Sequence, residues 1–116
     1  MRVLLTLNDA PYGTERTYNG LRLAGALARI EGLEVKVFLV GDAASSAKKG
    51  QRVPPGFYNV ETMLGSIVRH GGTVGVCGSC MDARALTEVE LVEGTRRSSL
   101  DEWASWTAEA DKTLVF

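Results

Sequence analysis

The chain has 116 residues, 45% of them hydrophobic and 23% charged, with a formal net charge of −1. That length and balance suit one ordinary globular domain spanning residues 1–116. The charge gives no pull toward nucleic acid or an anionic membrane, and no apolar run approaches the roughly 18 residues a membrane span requires.

Val3-Leu4-Leu5-Thr6-Leu7 opens the chain as a strand, residues 2–8, apolar enough to be covered on both faces. No small-residue cleavage site follows, so this segment reads as a first strand and not as a signal peptide. Asn8-Asp9-Ala10-Pro11-Tyr12-Gly13 is a turn cluster at its carboxyl end. A helix then fits 14–30, with Leu21, Ala24, Leu27 and Ala28 at helical spacing and Leu23 and Ile30 widening the apolar face. Gly32 is its stop signal. Glu34 to Val40 is a second strand, rich in β-formers. Residues 42–48 suit a short helix of small residues, and Lys49 to Tyr58, with Pro54-Pro55-Gly56, reads as exposed loop. Asn59 is an N-cap for a helix over 60–70, with Val60, Met63, Leu64, Ile67 and Val68 on one side and Gly71-Gly72 at its end.

Thr73 to Cys77 is a third strand, a tight Gly78-Ser79 turn follows, and a short helix fits 80–86. Beyond Leu91-Val92-Glu93-Gly94, a turn region holds room for a short edge strand. Ser99-Leu100-Asp101-Glu102 matches a capping box opening a helix to about Ala110, lined by Leu100, Trp103, Trp106 and Ala110. Lys112 to Phe116 is the last strand. Strands alternating with helices predict a parallel sheet with helices on both sides.

Chemistry concentrates in Thr73–Arg84, which holds both cysteines, Cys77 and Cys80. Two cysteines in so short a chain are too few for a disulfide framework, which points to a reducing, cytoplasmic setting. Thiols at the carboxyl end of a strand, just ahead of a helix, sit where open α/β sheets bind ligands. Unpaired backbone N–H groups there favour the thiolate, and Gly78 and Ser79 leave the sulfur approachable. The competing reading is two buried cysteines acting as small hydrophobes. The C-x-x-C spacing also admits a dithiol couple, although all three prolines lie upstream, against a thioredoxin fold. A closed zinc site needs about four ligands, and His70 is the only histidine, so no metal is expected within one subunit. No cofactor is expected either, since the glycine-rich nucleotide motifs are absent.

Arg84 is a candidate cation for a thiolate or persulfide, and Asp82 lies beside it; both also suit a surface ion pair. Asn8, with Asp9 and Tyr12, sits on the loop after the first strand, a candidate border of the same crevice, though ordinary turn chemistry explains Asn8 and Asp9 better than catalysis. Lys48-Lys49 and Arg96-Arg97 read as solvated loop charges, and Trp103 and Trp106 as core or subunit interface.

Cys77-Gly-Ser-Cys80-Met-Asp-Ala-Arg84, then Leu91-Val92-Glu93-Gly94 and Leu100-Asp101-Glu102-Trp103, resemble the DsrE/DsrF-like family of small sulfur-relay proteins. Ala110–Phe116 and Pro55–Asn59 extend the likeness over nearly the whole chain. Ala85 departs from it, standing where the family pattern often has Gly. The resemblance implies a three-layer α/β/α domain with a mostly parallel sheet of about five strands, in homo-oligomers that are trimers or hexamers. It implies that Cys77 carries sulfane sulfur as a persulfide between donor and acceptor proteins or low-molecular-weight persulfides. Cys80 falls on the second cysteine of a subset of the family. Gly78, Ser79, Asp82, Arg84 and Asn8 are then the binding or stabilising candidates. A dithiol redox protein and a noncatalytic assembly subunit are the other classes that fit.

Overall fold

A computed structural model describes all 116 residues. Five strands form one sheet: β1 (Arg2–Leu7), β2 (Glu34–Leu39), β3 (Thr73–Cys77), β4 (Thr95–Ser98) and β5 (Lys112–Val115). Their order is β4-β3-β2-β1-β5, and every pairing is parallel. The helices are α1 (Arg16–Leu27), α2 (Val60–Arg69), α3 (Gly78–Ala83) and α4 (Leu100–Glu109). A 3₁₀ helix spans Gly41–Ala47, and a single 3₁₀ turn spans Glu88–Glu90. No helix is long and apolar enough to cross a membrane.

Alternation along the strands divides the interior into two unequal cores. Val3, Leu5 and Leu7, Val35, Val37 and Leu39, and Val74 and Val76 point to one side. There they meet Leu21 and Ala24 of α1, Leu64 and Ile67 of α2, and Met81 of α3. Leu4 and Phe38 point to the other side and meet Trp106 of α4. The expected three-layer α/β/α arrangement with five strands is what forms, and the sheet is wholly parallel.

Most segment boundaries fall within two or three residues of the sequence reading, with informative exceptions. The first helix begins at Arg16 and ends at Leu27, so the predicted span of 14–30 is too long. Ala28–Ile30 relax into turns before Gly32, and Leu23 and Ile30 stay exposed instead of widening the buried stripe. Only the residues facing the sheet have a partner surface. The second helix is capped as anticipated, with Asn59 accepting from the Thr62 N–H. Its carboxyl end closes at Gly71, where φ is +90°.

The Ser99 cap is also made, accepting from the Glu102 N–H. The reciprocal half of the box is not: the Glu102 carboxylate turns to Arg96 and to the Ser98 hydroxyl. Leu100, assigned to the buried stripe of α4, is 71% exposed, whereas Trp106 on the same helix is buried against Leu4 and Phe38. Arg96 and Arg97, read as solvated loop charges, stand on β4, and both are ion-paired.

Candidate functional site

No turn separates β3 from α3. Cys77 ends the strand and is at once the N-cap of the helix, with φ −55° and ψ 119°. The tight Gly-Ser turn expected from sequence is therefore the first turn of α3, and the helix starts two residues earlier than predicted. At this junction the two cysteines pack against different cores while their thiols stay close together. Cys77 packs with the small core under α4, and Cys80, one helical turn on, packs with the large core.

Neighbouring strands β3 and β4 send their connections to opposite faces, since α3 buries Met81 in the large core and α4 buries Trp106 in the small one. A crevice opens at their carboxyl ends, as such a reversal requires. The register pairs Cys77 with Ser98 there. The resulting depression, about 540 Å³, has Cys77, Gly78, Ser79 and Cys80 on one wall and Arg97 to Leu100 on the other. Phe38, Val40 and Trp103 line it as well. The Phe38 and Trp103 rings stack with centroids 4.7 Å apart, and Trp106 meets Phe38 edge-on at 6.2 Å. A glycine at 75 makes room for this packing: a Cβ there would lie 2.9 Å from the Trp106 ring. A larger groove of about 670 Å³, between α2 and Val92–Gly94, contains no thiol.

Both cysteines are free and half-buried. Burial pushes the Cys77 thiol up, but hydrogen bonds outweigh it and leave the group below an ordinary thiol. The donors are the Cys80 thiol, the Ser79 hydroxyl, and the backbone N–H groups of Cys80 and Ser79. The Ser79 hydroxyl lies 3.4 Å from the Cys77 sulfur. Cys80 moves the opposite way: burial raises it, and so do its hydrogen bond to Cys77 and the Cys77 charge. The Gly41 N–H, 3.1 Å from the Cys80 sulfur, and Arg84 pull it down without prevailing. One thiol is set to ionise first while its neighbour keeps its proton and donates.

The other sequence candidates are placed as follows. Gly78 is buried at the floor of the depression and Ser79 is exposed at its rim. Arg84 donates to Asp42 at 2.7 Å and to the Cys80 carbonyl at 3.1 Å, on the Cys80 side. Asp82 accepts two hydrogen bonds from Arg97, at 2.8 and 3.0 Å, which hold its carboxyl below the usual range. Asn8 is not brought to the depression; its side chain and its N–H both donate to the Phe116 carbonyl, beyond β1 and β5. Sequence reasoning missed Arg97, together with Phe38 and Val40 as lining residues. Only the strand register, with Arg97 opposite Val76, reveals the arginine. No cluster of three or more His, Cys, Asp or Glu side chains is arranged to hold a metal ion.

Comparison with known proteins agrees with this geometry. The family model described as the DsrE/DsrF-like family matches residues 1–116. The protein YchN of Escherichia coli is 37% identical over 116 residues, covering 99% of this chain and 98% of that protein. An uncharacterised protein of Methanocaldococcus jannaschii is 35% identical over 116 residues, covering all of both chains. The crystal structure of the Escherichia coli protein superposes with a TM-score of 0.93, over 99% of this chain and 98% of that one. A Methanobacterium thermoautotrophicum protein of unknown function shares the fold at 12% identity, with a TM-score of 0.79 and coverage of 99% and 98%. From the strand–helix junction that carries Cys77 to the full length of its sheet, the chain belongs to the DsrE/DsrF-like family.

Proposed function

We propose that this protein is a cytoplasmic, homo-oligomeric sulfur carrier, a trimer or hexamer, that takes sulfane sulfur onto Cys77 as a persulfide and passes it to a partner thiol. The observation that carries the reading is the asymmetry of the pair. Cys77 opens onto a depression and is set to ionise, while Cys80 sits behind it as a protonated donor. A thiolate is the nucleophile in sulfur exchange, and its outer sulfur must be reachable by a second molecule.

The Cys77 thiolate attacks the outer sulfur of a donor hydropersulfide, R–S–SH. The donor's S–S bond breaks, its thiolate R–S⁻ leaves with the bonding pair, and Cys77–S–SH forms. The persulfide proton passes to the departing thiolate, leaving Cys77–S–S⁻ and R–SH. Reprotonated, Cys77–S–SH is attacked at its outer sulfur by an acceptor thiolate, and Cys77 departs as thiolate. Sulfur moves without net oxidation or reduction. Cys80 supports both halves by hydrogen-bonding the charged Cys77 sulfur.

Intact-mass spectrometry of reduced protein, incubated with a low-molecular-weight persulfide donor, tests the reading. A gain of about 32 Da is expected for wild type and Cys80→Ser and not for Cys77→Ser. An adduct that survives Cys77→Ser overturns the assignment. No adduct, with a reversible loss of about 2 Da on oxidation, moves the protein to the dithiol class. Neither change leaves the assembly-subunit class.

A further inference from the structure

We propose that Arg97 is the cation that serves Cys77: laid over Gly78 and clamped by Asp82, it offsets the negative charge gathered at that sulfur and favours anionic sulfur donors over neutral ones. The inference rests on the reading of Cys77 as the reacting thiol and adds the residue that sets the charge preference of its donor.

The sequence points to Arg84 for this role, since it is closest along the chain. The structure places the two arginines on different sides of the pair. Arg84 is held by Asp42 and the Cys80 carbonyl, and its charge acts first on Cys80. Arg97 reaches across from β4 and shares the walls of the depression with Cys77. Of the two thiols, it is Cys77 whose negative charge adds to the forces that raise Arg97, after Asp82 and Glu88.

Two details show that the guanidinium is placed there. A Cβ on Gly78 would lie 2.8 Å from Arg97 Nε, 2.9 Å from its Cζ and 2.9 Å from its Nη2, so the planar group rests on the bare glycine backbone. Asp82, one turn further along α3, then grips its Nη1 and Nη2 groups in a two-pronged pair at 2.8 and 3.0 Å. Those bonds use two of the five N–H donors of an arginine, and no other hydrogen bond is made by this side chain. Three N–H groups remain for an incoming ligand, on a side chain that is 38% exposed.

Sulfur exchange at Cys77 brings negative charge together twice: the thiolate meets a donor R–S–SH whose R group is negatively charged, and the persulfide then carries the charge on its outer sulfur. Like charges at contact repel strongly where water is partly displaced, and one aligned cation offsets that repulsion. Asp82 and Glu88 are the acids whose charges act on Arg97, and both residues are exposed.

Two reagents with the same chemistry and different charge read this directly: iodoacetate and iodoacetamide, each reacting at Cys77 in a Cys80→Ser background at neutral pH and low salt. The ratio of the iodoacetate rate to the iodoacetamide rate is expected to fall about threefold in Arg97→Gln. It should stay near wild type in Arg97→Lys, which keeps the charge, and in Arg84→Gln. Gly78→Ala is the second route, because its methyl group displaces the guanidinium without removing any charge, and it should lower the ratio as Arg97→Gln does. An unchanged ratio in Arg97→Gln and Gly78→Ala overturns the proposal, as does a larger fall in Arg84→Gln. A purely structural role would change both rates together and leave the ratio alone, which counts against it. Alkylation needs no persulfide, so this result stands or falls apart from the mass-shift experiment above.

Discussion

Ala85 ends the cysteine helix in a conformation that suits another residue. Its φ is +53°, in the left-handed region, and it is the only non-glycine residue in the chain with a positive φ. The surrounding bonds show why: the Ala85 N–H donates to the Asp82 carbonyl and the Leu86 N–H to the Met81 carbonyl, the paired closure that ends many helices and usually places Gly at this point. A left-handed backbone costs an L-residue about 1–2 kcal/mol through the clash of Cβ with the following carbonyl. Ala85→Gly removes that clash, while the freer glycine chain stabilises the unfolded state by about 0.4–1 kcal/mol. Ala85 is exposed, so no packing is lost with the methyl. The net expectation is a gain of about 0.5–1 kcal/mol, or roughly 2–4 °C in Tm. Ala85→Val should lose at least about 1 kcal/mol, since branching at Cβ worsens the same clash. Urea unfolding followed by circular dichroism measures both changes. A Gly variant less stable than wild type, or a Val variant equal to it, would refute the claim that this backbone is strained.

Two further outcomes follow from the charges. The rate of Cys77 alkylation by iodoacetamide should rise with pH through an inflection below the ordinary thiol value of about 8.5, and Cys80→Ala should move that inflection upward by removing a hydrogen bond to the thiolate; an inflection that stays put in Cys80→Ala removes Cys80 from the mechanism. For Glu102, the Arg96 pair holds the carboxyl low, burial opposes this, and the Ser98 hydroxyl adds to it. A folded-state carboxyl held below its unfolded value stabilises above the unfolded pKa, and that stability is lost as pH falls through the lower, folded value. Glu102→Gln should therefore cost about 1 kcal/mol at neutral pH, with the difference from wild type closing below about pH 4, as read from thermal melts across that range.

Local chemistry made much of this molecule readable in advance. Val3–Leu7, Val35–Leu39 and Thr73–Val76 are β-rich, apolar and bounded by turn residues, so their strands follow from composition alone. Asn59 and Ser99 cap the helices that follow them, because a short side-chain oxygen meets a nearby N–H within the same few residues. Cys77 at the carboxyl end of a strand marked the candidate site for the same local reason. Helix length was less legible, since Leu23 and Ile30 continue an apolar pattern that meets no opposing surface.

What the tertiary structure alone decided concerns residues far apart in sequence. Cys77 and Cys80 are three positions apart, yet the strand–helix junction assigns them to opposite cores and opposite ionisation behaviour. Arg84 is nearest the cysteines along the chain, but Asp42 draws it to the Cys80 side, while Arg97 arrives beside Cys77 through the pairing of β3 with β4. Asn8 follows the first strand as expected and is then bound by Phe116 at the far end of the chain. Strands, caps and the cysteine position were set by the sequence itself, because propensity and capping act over a few residues. The cation beside the sulfur, the walls of the depression and the different packing of the two cysteines depend on sheet register and strand order, which only the packed chain specifies.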